Sequence, residues 1–223
     1  MTQVTHPRLA PRRGAARAST WWGRAWVRAV EEAAYSDPEL RAGRALARAG
    51  RVGSLTVGPG SVVAAVEDGE EVRTVELTLP VLDAVSRETV VELVAAESGR
   101  IAALLGGELP HGLLEDSEEA GVELLPYGGE LGASCTCAAW VDPCPHALAV
   151  ASQVAWLLDA DPLVLLALRG LPREELLARL HARGGEAEVG SDDEETGLDA
   201  ALRAARVLEL LDGPDPETLD HLF

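Results

Sequence analysis

Read along the chain, apolar positions change their spacing several times, and each change marks an element. Residues 1–19 show no regular spacing and read as a disordered basic arm. From about Ser19, Trp22, Trp26 and Ala29 fall on one helical face, with Ser19 or Thr20 as N-cap. Ser36, Asp37 and Pro38 interrupt that helix and begin a second, over 38–50, which Gly50 can end. The period then shortens. Residues 51–58, 61–68 and 72–80 are β-branched, partly alternating runs parted by Gly58-Pro59-Gly60 and Asp68-Gly69, the pattern of a three-stranded antiparallel meander.

Helical spacing returns over 86–106 and stops at a double glycine. A short helix or turn near 110–119 and a strand over 121–126 lead to a segment that holds every cysteine of the chain. Beyond it, 145–160 is a strongly apolar helix. Residues 161–170 and 172–184 read as two shorter helices, each closed by glycine. Residues 184–197 are glycine-rich and acidic with no apolar face, a flexible linker. A Leu/Ala stripe from 198 to 211 reads as a C-terminal helix that frays into the tail. The fold class expected is α+β, mostly helical with a small antiparallel sheet. Its regions are the arm (1–19), an N-terminal α+β region (20–121), a cysteine-bearing finger (122–158), a helical extension (159–183), the acidic linker (184–197) and the C-terminal helix and tail (198–223).

The cysteine segment carries the chemistry. Cys135, Cys137 and Cys144 lie within ten residues and end at His146, in the pattern C-x-C-x6-C-x-H. An odd, clustered set of thiols beside a histidine argues for metal in a reducing compartment, not a disulfide scaffold, and makes the cytoplasm the expected location. Three thiolates and one imidazole suit tetrahedral Zn²⁺ and leave no open coordination position, so the expected site is structural. A knuckle at Thr136 is needed to aim Cys135 and Cys137 at one point. The amides at the start of the following helix are expected to favour the Cys144 thiolate. Trp140, in the loop between the cysteines, either covers the metal or presents a contact surface, and shielding is the role expected first.

With these residues in view, the chain resembles the SWIM zinc finger, and Trp21–Glu31, Gly43–Val52 and Asp161–Leu180 extend the resemblance to bacterial SWIM zinc finger family proteins. The resemblance implies a strand pair followed by a helix, with Zn²⁺ held by Cys135, Cys137, Cys144 and His146. It also implies zinc-dependent binding to DNA or to proteins, in the company of Swi/Snf-type, helicase-like ATPases. The function expected is a non-enzymatic module for DNA or protein interaction, the alternative being a protein adaptor with no DNA contact.

Charge divides the chain unequally. The formal net charge is −18, yet residues 1–51 carry a balance of +6 and the remainder −24; no lysine occurs, so every basic side chain is arginine. Nucleic-acid contact must therefore be local. Arg41, Arg44, Arg48 and Arg51 recur at helical spacing and form the candidate nucleic-acid-binding stripe, one that could meet successive phosphates. The bland reading is a solvated face pairing with Glu31 or Glu32. Trp22 and Trp26 read as a core pair rather than a base-stacking surface. Enzyme signals are weak: His6, His111, His181 and His221 are scattered, and without lysine there is no phosphate-binding loop of the Gly-x4-Gly-Lys kind. No apolar run approaches the roughly 18 residues of a membrane span, and the basic N-terminal stretch lacks the apolar region of a secretory signal. Oligomeric state is not legible.

Overall fold

The computed structural model describes residues 3–13 and 18–190. Two compact units divide the chain, Met1–Ala178 and Arg179–Phe223. The first holds a five-stranded antiparallel sheet in the order β1-β2-β3-β4-β5: Val4–His6, Val52–Gly58, Ser61–Asp68, Glu71–Thr78 and Gly132–Cys135. Its helices are α1 (Trp21–Ala33), α2 (Asp37–Arg48), α3 (Ala84–Ala96), α4 (Ser98–Leu105), α5 (His111–Glu119), α6 (Pro145–Ala160) and α7 (Leu163–Leu168). The last helix, α8 (Arg173–Gly190), begins in the first unit, and its continuation is the described part of the second.

The apolar character of α6 all round decides the arrangement, because such a helix must be covered on every side. Twelve of its residues are buried. The sheet packs on it through the core face of the meander, where Leu55, Val57, Val62, Ala64, Val66, Val75 and Leu77 alternate inward. Helices α1 and α2 cover it from the other side. Trp22 and Trp26 are buried as a core pair, and their indole N–H groups donate to carbonyls of α6, Leu158 at 2.7 Å and Ala151 at 3.0 Å. Two large apolar rings thereby enter the core with their one polar atom satisfied. Gly43 sets how close α2 can come: a Cβ there would lie 2.6 Å from Leu148 Cβ and 2.8 Å from the Pro145 carbonyl, at the start of α6.

Four expectations need correction. Residues 3–13 are ordered, not a disordered arm: Val4–His6 pairs with the open edge of β2, and Arg8 binds the Gly50 carbonyl and Glu67. An extended segment beside an unpaired strand edge gains a ladder of hydrogen bonds that a free arm lacks. Residues 86–106 form two helices, α3 and α4, because Glu97 turns to an extended conformation between them. No strand forms over 121–126. The Leu124 and Leu125 carbonyls there accept from the Arg169 guanidinium. Finally, α8 runs past Gly184 and Gly185 to Gly190, so the linker's first seven residues are helical. Residues 191–197 of that linker, the expected C-terminal helix and the tail lie outside the described residues.

Arg169, which nothing in the sequence singled out, ties these pieces together. It is 2% exposed. Its donors reach the Leu124 carbonyl at 3.0 Å, the Pro80 carbonyl at 3.0 Å and the Glu130 carboxylate at 2.9 Å. With the Leu125 carbonyl and the second Glu130 oxygen, all five donors of the planar fork are used, more than the three an ammonium has. Replacing Arg169 with leucine strands the Glu130 carboxylate and the buried Leu124 carbonyl, so urea unfolding is expected to show a loss of about 3–5 kcal/mol; the lysine variant is expected to recover only part of it.

Candidate metal centre

The four sequence-derived ligands come from two elements and the loop between them. Cys135 ends β5, the sheet's edge strand, whose register on β4 pairs Val75 with Cys135 and Thr78 with Gly132. Among the described residues β5 is the single strand within the finger's expected span of 122–158, so the expected strand pair forms only with β4, which comes from the meander outside that span. Just beyond the strand, Thr136 donates its N–H to the Thr74 carbonyl at 3.0 Å, and its hydroxyl accepts from the Thr74 N–H at 3.0 Å. This double anchor is the knuckle that the one-residue spacing demanded. The chain leaves the sheet at Cys137, loops through Trp140 and returns at Cys144, the N-cap of α6. Pro145 occupies the first helical turn, where its missing N–H costs nothing.

The four ligand atoms lie within 4.8 Å of one another. A tetrahedron with bonds of about 2.3 Å has edges of about 3.8 Å. Cys144 Sγ and His146 Nδ1, at 3.9 Å, already stand at that separation. The donor set fits zinc: soft thiolates and an imidazole converge with no carboxylate among them. The protonation of the thiols is what a bound cation must overcome. Burial pushes the Cys135 thiol up to about 12 and also raises Cys144, where it outweighs the favourable amide of Ala147 at the helix start. The helix amides therefore assist Cys144 but do not decide its state. Burial opposes ionisation of Cys137 too, but there the Ala139 N–H, the His146 ring and the neighbouring sulfurs prevail and bring it down to about 7. Three sulfurs this close repel one another as thiolates, and a divalent cation among them removes that repulsion.

The sequence reading missed one contributor. Asp68, at the end of β3, places Oδ2 3.1 Å from His146 Nε2. With Nδ1 turned toward Cys144, Nε2 is left to donate to this carboxylate. The ring is fixed in the tautomer whose free lone pair faces the sulfurs. The Asp68-Gly69 turn signal located the residue but gave no hint of this role.

Residues 114–155 match the family model of the SWIM zinc finger. The chain carries a SWIM zinc finger. Over 180 residues it is also 34% identical to the Uncharacterized protein Rv2102 of Mycobacterium tuberculosis, a match that covers 79% of this chain and 64% of that protein. No solved structure matches. The finger is a zinc-binding module, and its closed shell leaves no position for water or substrate, so the zinc does no chemistry there.

The other candidates divide. Arg41, Arg44 and Arg48 line a cleft of about 700 Å³ together with Arg24 and Arg28 of α1. Arg51 does not join them: it follows the helix end and faces Glu67 at 3.5 Å. Arg44 pairs with Glu31 across the cleft. Among the described residues Arg28, Arg41 and Arg48 pair with no carboxylate. Trp140 does not shield the metal. It is 82% exposed and stands edge-on against Tyr35 with ring centroids 5.3 Å apart, because the loop between the cysteines is turned outward. Among the described histidines none other than His146 joins the cysteines, and His111 lies tilted against Trp21 with ring centroids 4.8 Å apart. No helix among the described residues is long and apolar enough to cross a membrane.

Substituting Asp68 with asparagine tests its positioning role. Zinc affinity, read by competition with a chromophoric chelator, is expected to fall roughly 10- to 100-fold, with three thiolates still bound. Unchanged affinity would show that the ring needs no carboxylate to orient it.

Proposed function

We propose that this chain is a zinc-stabilised, non-enzymatic module that contacts DNA directly and serves beside a DNA-processing machine, such as a helicase-like ATPase of the Swi/Snf type. The observation that carries this reading is the arginine cleft. Two helices that pack separately on α6 raise five guanidinium groups around one hollow, floored by Ala151, Ser152, Ala155 and Trp156. Arg12, whose guanidinium lies 4.3 Å from the Trp156 ring centre, adds a sixth at its end. In a chain of net charge −18, such a concentration of positive charge is a local exception. Guanidinium forks suit phosphate oxygens, and they retain their charge at every physiological pH. Zinc contributes by fixing the start of α6, the floor against which both rims are set.

A second reading has its own support. The sheet side of the molecule carries Asp68, Glu71 and Glu76 at exposed strand positions, a surface that repels phosphate and suits a basic protein partner. In that case the chain is an adaptor with no DNA contact.

Fluorescence anisotropy with labelled DNA between roughly 50 and 200 mM salt separates the two. The direct-contact reading expects a steep salt slope that flattens by about 1 to 2 in the Arg44→Ala/Arg48→Ala variant, with weaker binding on every sequence. Absence of binding at the lowest salt leaves the adaptor.

A further inference from the structure

The two helices that rim the cleft are joined at one end. They are α1 and α2, and residues 34–36 connect them directly. At that connection Tyr35 is 62% exposed, and Trp140 of the zinc loop, 82% exposed, lies against it. A single exposed ring is ordinary, but these two meet as one aromatic patch although 105 positions separate them in sequence. Arg41 and Arg28, each within about two helical turns of Tyr35, open the cleft on this side; Arg48 and Arg24 close it near Trp156, about 10 Å further along α2 at the usual rise per residue. The α1–α2 hairpin thus carries guanidinium groups along its two helices and an exposed aromatic pair at its connecting turn.

That order of chemistry distinguishes two forms of nucleic acid. A duplex offers phosphates but keeps its base faces stacked inside. A single strand offers both, and its bases can leave the stack to lie on aromatic rings while the backbone tracks positive charge. We infer that the α1–α2 cleft and the Tyr35–Trp140 pair together form a binding site for single-stranded nucleic acid, the cleft taking the phosphates and the pair taking an unstacked base. This inference rests on the DNA-contact reading above and narrows it. It also gives zinc a second part. Trp140 sits between Cys137 and Cys144, so the metal that closes the loop also holds the ring beside Tyr35.

The test uses the full, zinc-loaded chain and three labelled probes: oligothymidylate of roughly 15 nucleotides, oligouridylate of the same length, and a duplex of that length. The parent chain is expected to bind a single strand more tightly than the duplex, and whichever single strand is preferred names the sugar. Trp140→Ala and Tyr35→Ala are each expected to weaken single-strand binding by about 5- to 100-fold while leaving its salt slope unchanged, since stacking involves no counterion. Trp140→Phe should restore most of the loss, and duplex binding should move in none of these variants. Zinc content measured alongside keeps a lost metal from being mistaken for a lost contact, and Tyr35, which lies outside the zinc loop, decides where Trp140→Ala fails to hold zinc. If the aromatic variants bind single strands within twofold of the parent while Arg44→Ala/Arg48→Ala does not, the stacking inference is overturned and the DNA-contact reading stands. If the parent binds no probe, the DNA-contact reading itself falls.

Discussion

The convergence of three sulfurs and one imidazole between a sheet edge and the start of a buried helix is the contact on which the rest depends. β5 has only four residues and a single neighbouring strand, and a strand so short is weakly held by its ladder alone. α6 is the opposite, a helix buried on nearly every side. A divalent ion shared between them joins a short edge strand to a helix held on nearly every side. Cross-linking through metal replaces thiol repulsion with four coordinate bonds, and for such sites the free energy of binding is free energy of folding.

The surroundings of the centre show how much of the chain serves it. Thr136 is pinned to Thr74 on both its backbone and its side chain, which aims two neighbouring cysteines at one point. Asp68 reaches from the β3–β4 end to orient His146, so the meander contributes to the metal without supplying a ligand. Gly43 allows α2 to lie against the helix start that carries Cys144 and His146. Arg169 holds the approach to β5 by gripping Leu124 and Glu130 from beneath. Rigidity at the metal then extends outward to α6 and to the two helices resting on it, whose arginines face solvent.

Much of this was legible in the sequence, and the parts that were not share a physical cause. Periodicity located α1, α2, the three meander strands and α6 because each has a solvent-facing and a core-facing side, or, for α6, an unbroken apolar surface. The metal ligands were legible because cysteine is scarce in this chain and C-x-C-x6-C-x-H leaves few alternatives. What escaped depends on partners distant in sequence. Val4–His6 becomes a strand only because β2 offers an open edge, and 121–126 fails to become one because Arg169 takes its carbonyls. Asp68 looked like a turn residue until the fold set it beside His146. Trp140 was expected over the metal, yet its ring lies against Tyr35, a contact that local spacing cannot forecast. Arg51 kept the helical interval of the stripe on paper, but the helix ends at Arg48 and the next residues follow the strand.

Zinc K-edge X-ray absorption on the protein loaded with one equivalent of metal addresses the centre most directly. Three sulfurs at about 2.3 Å and one nitrogen at about 2.0–2.1 Å, with no exchangeable oxygen, is the shell expected of Cys135, Cys137, Cys144 and His146. A shell containing a water oxygen, or fewer than three sulfurs, would contradict the closed structural site on which the fold depends.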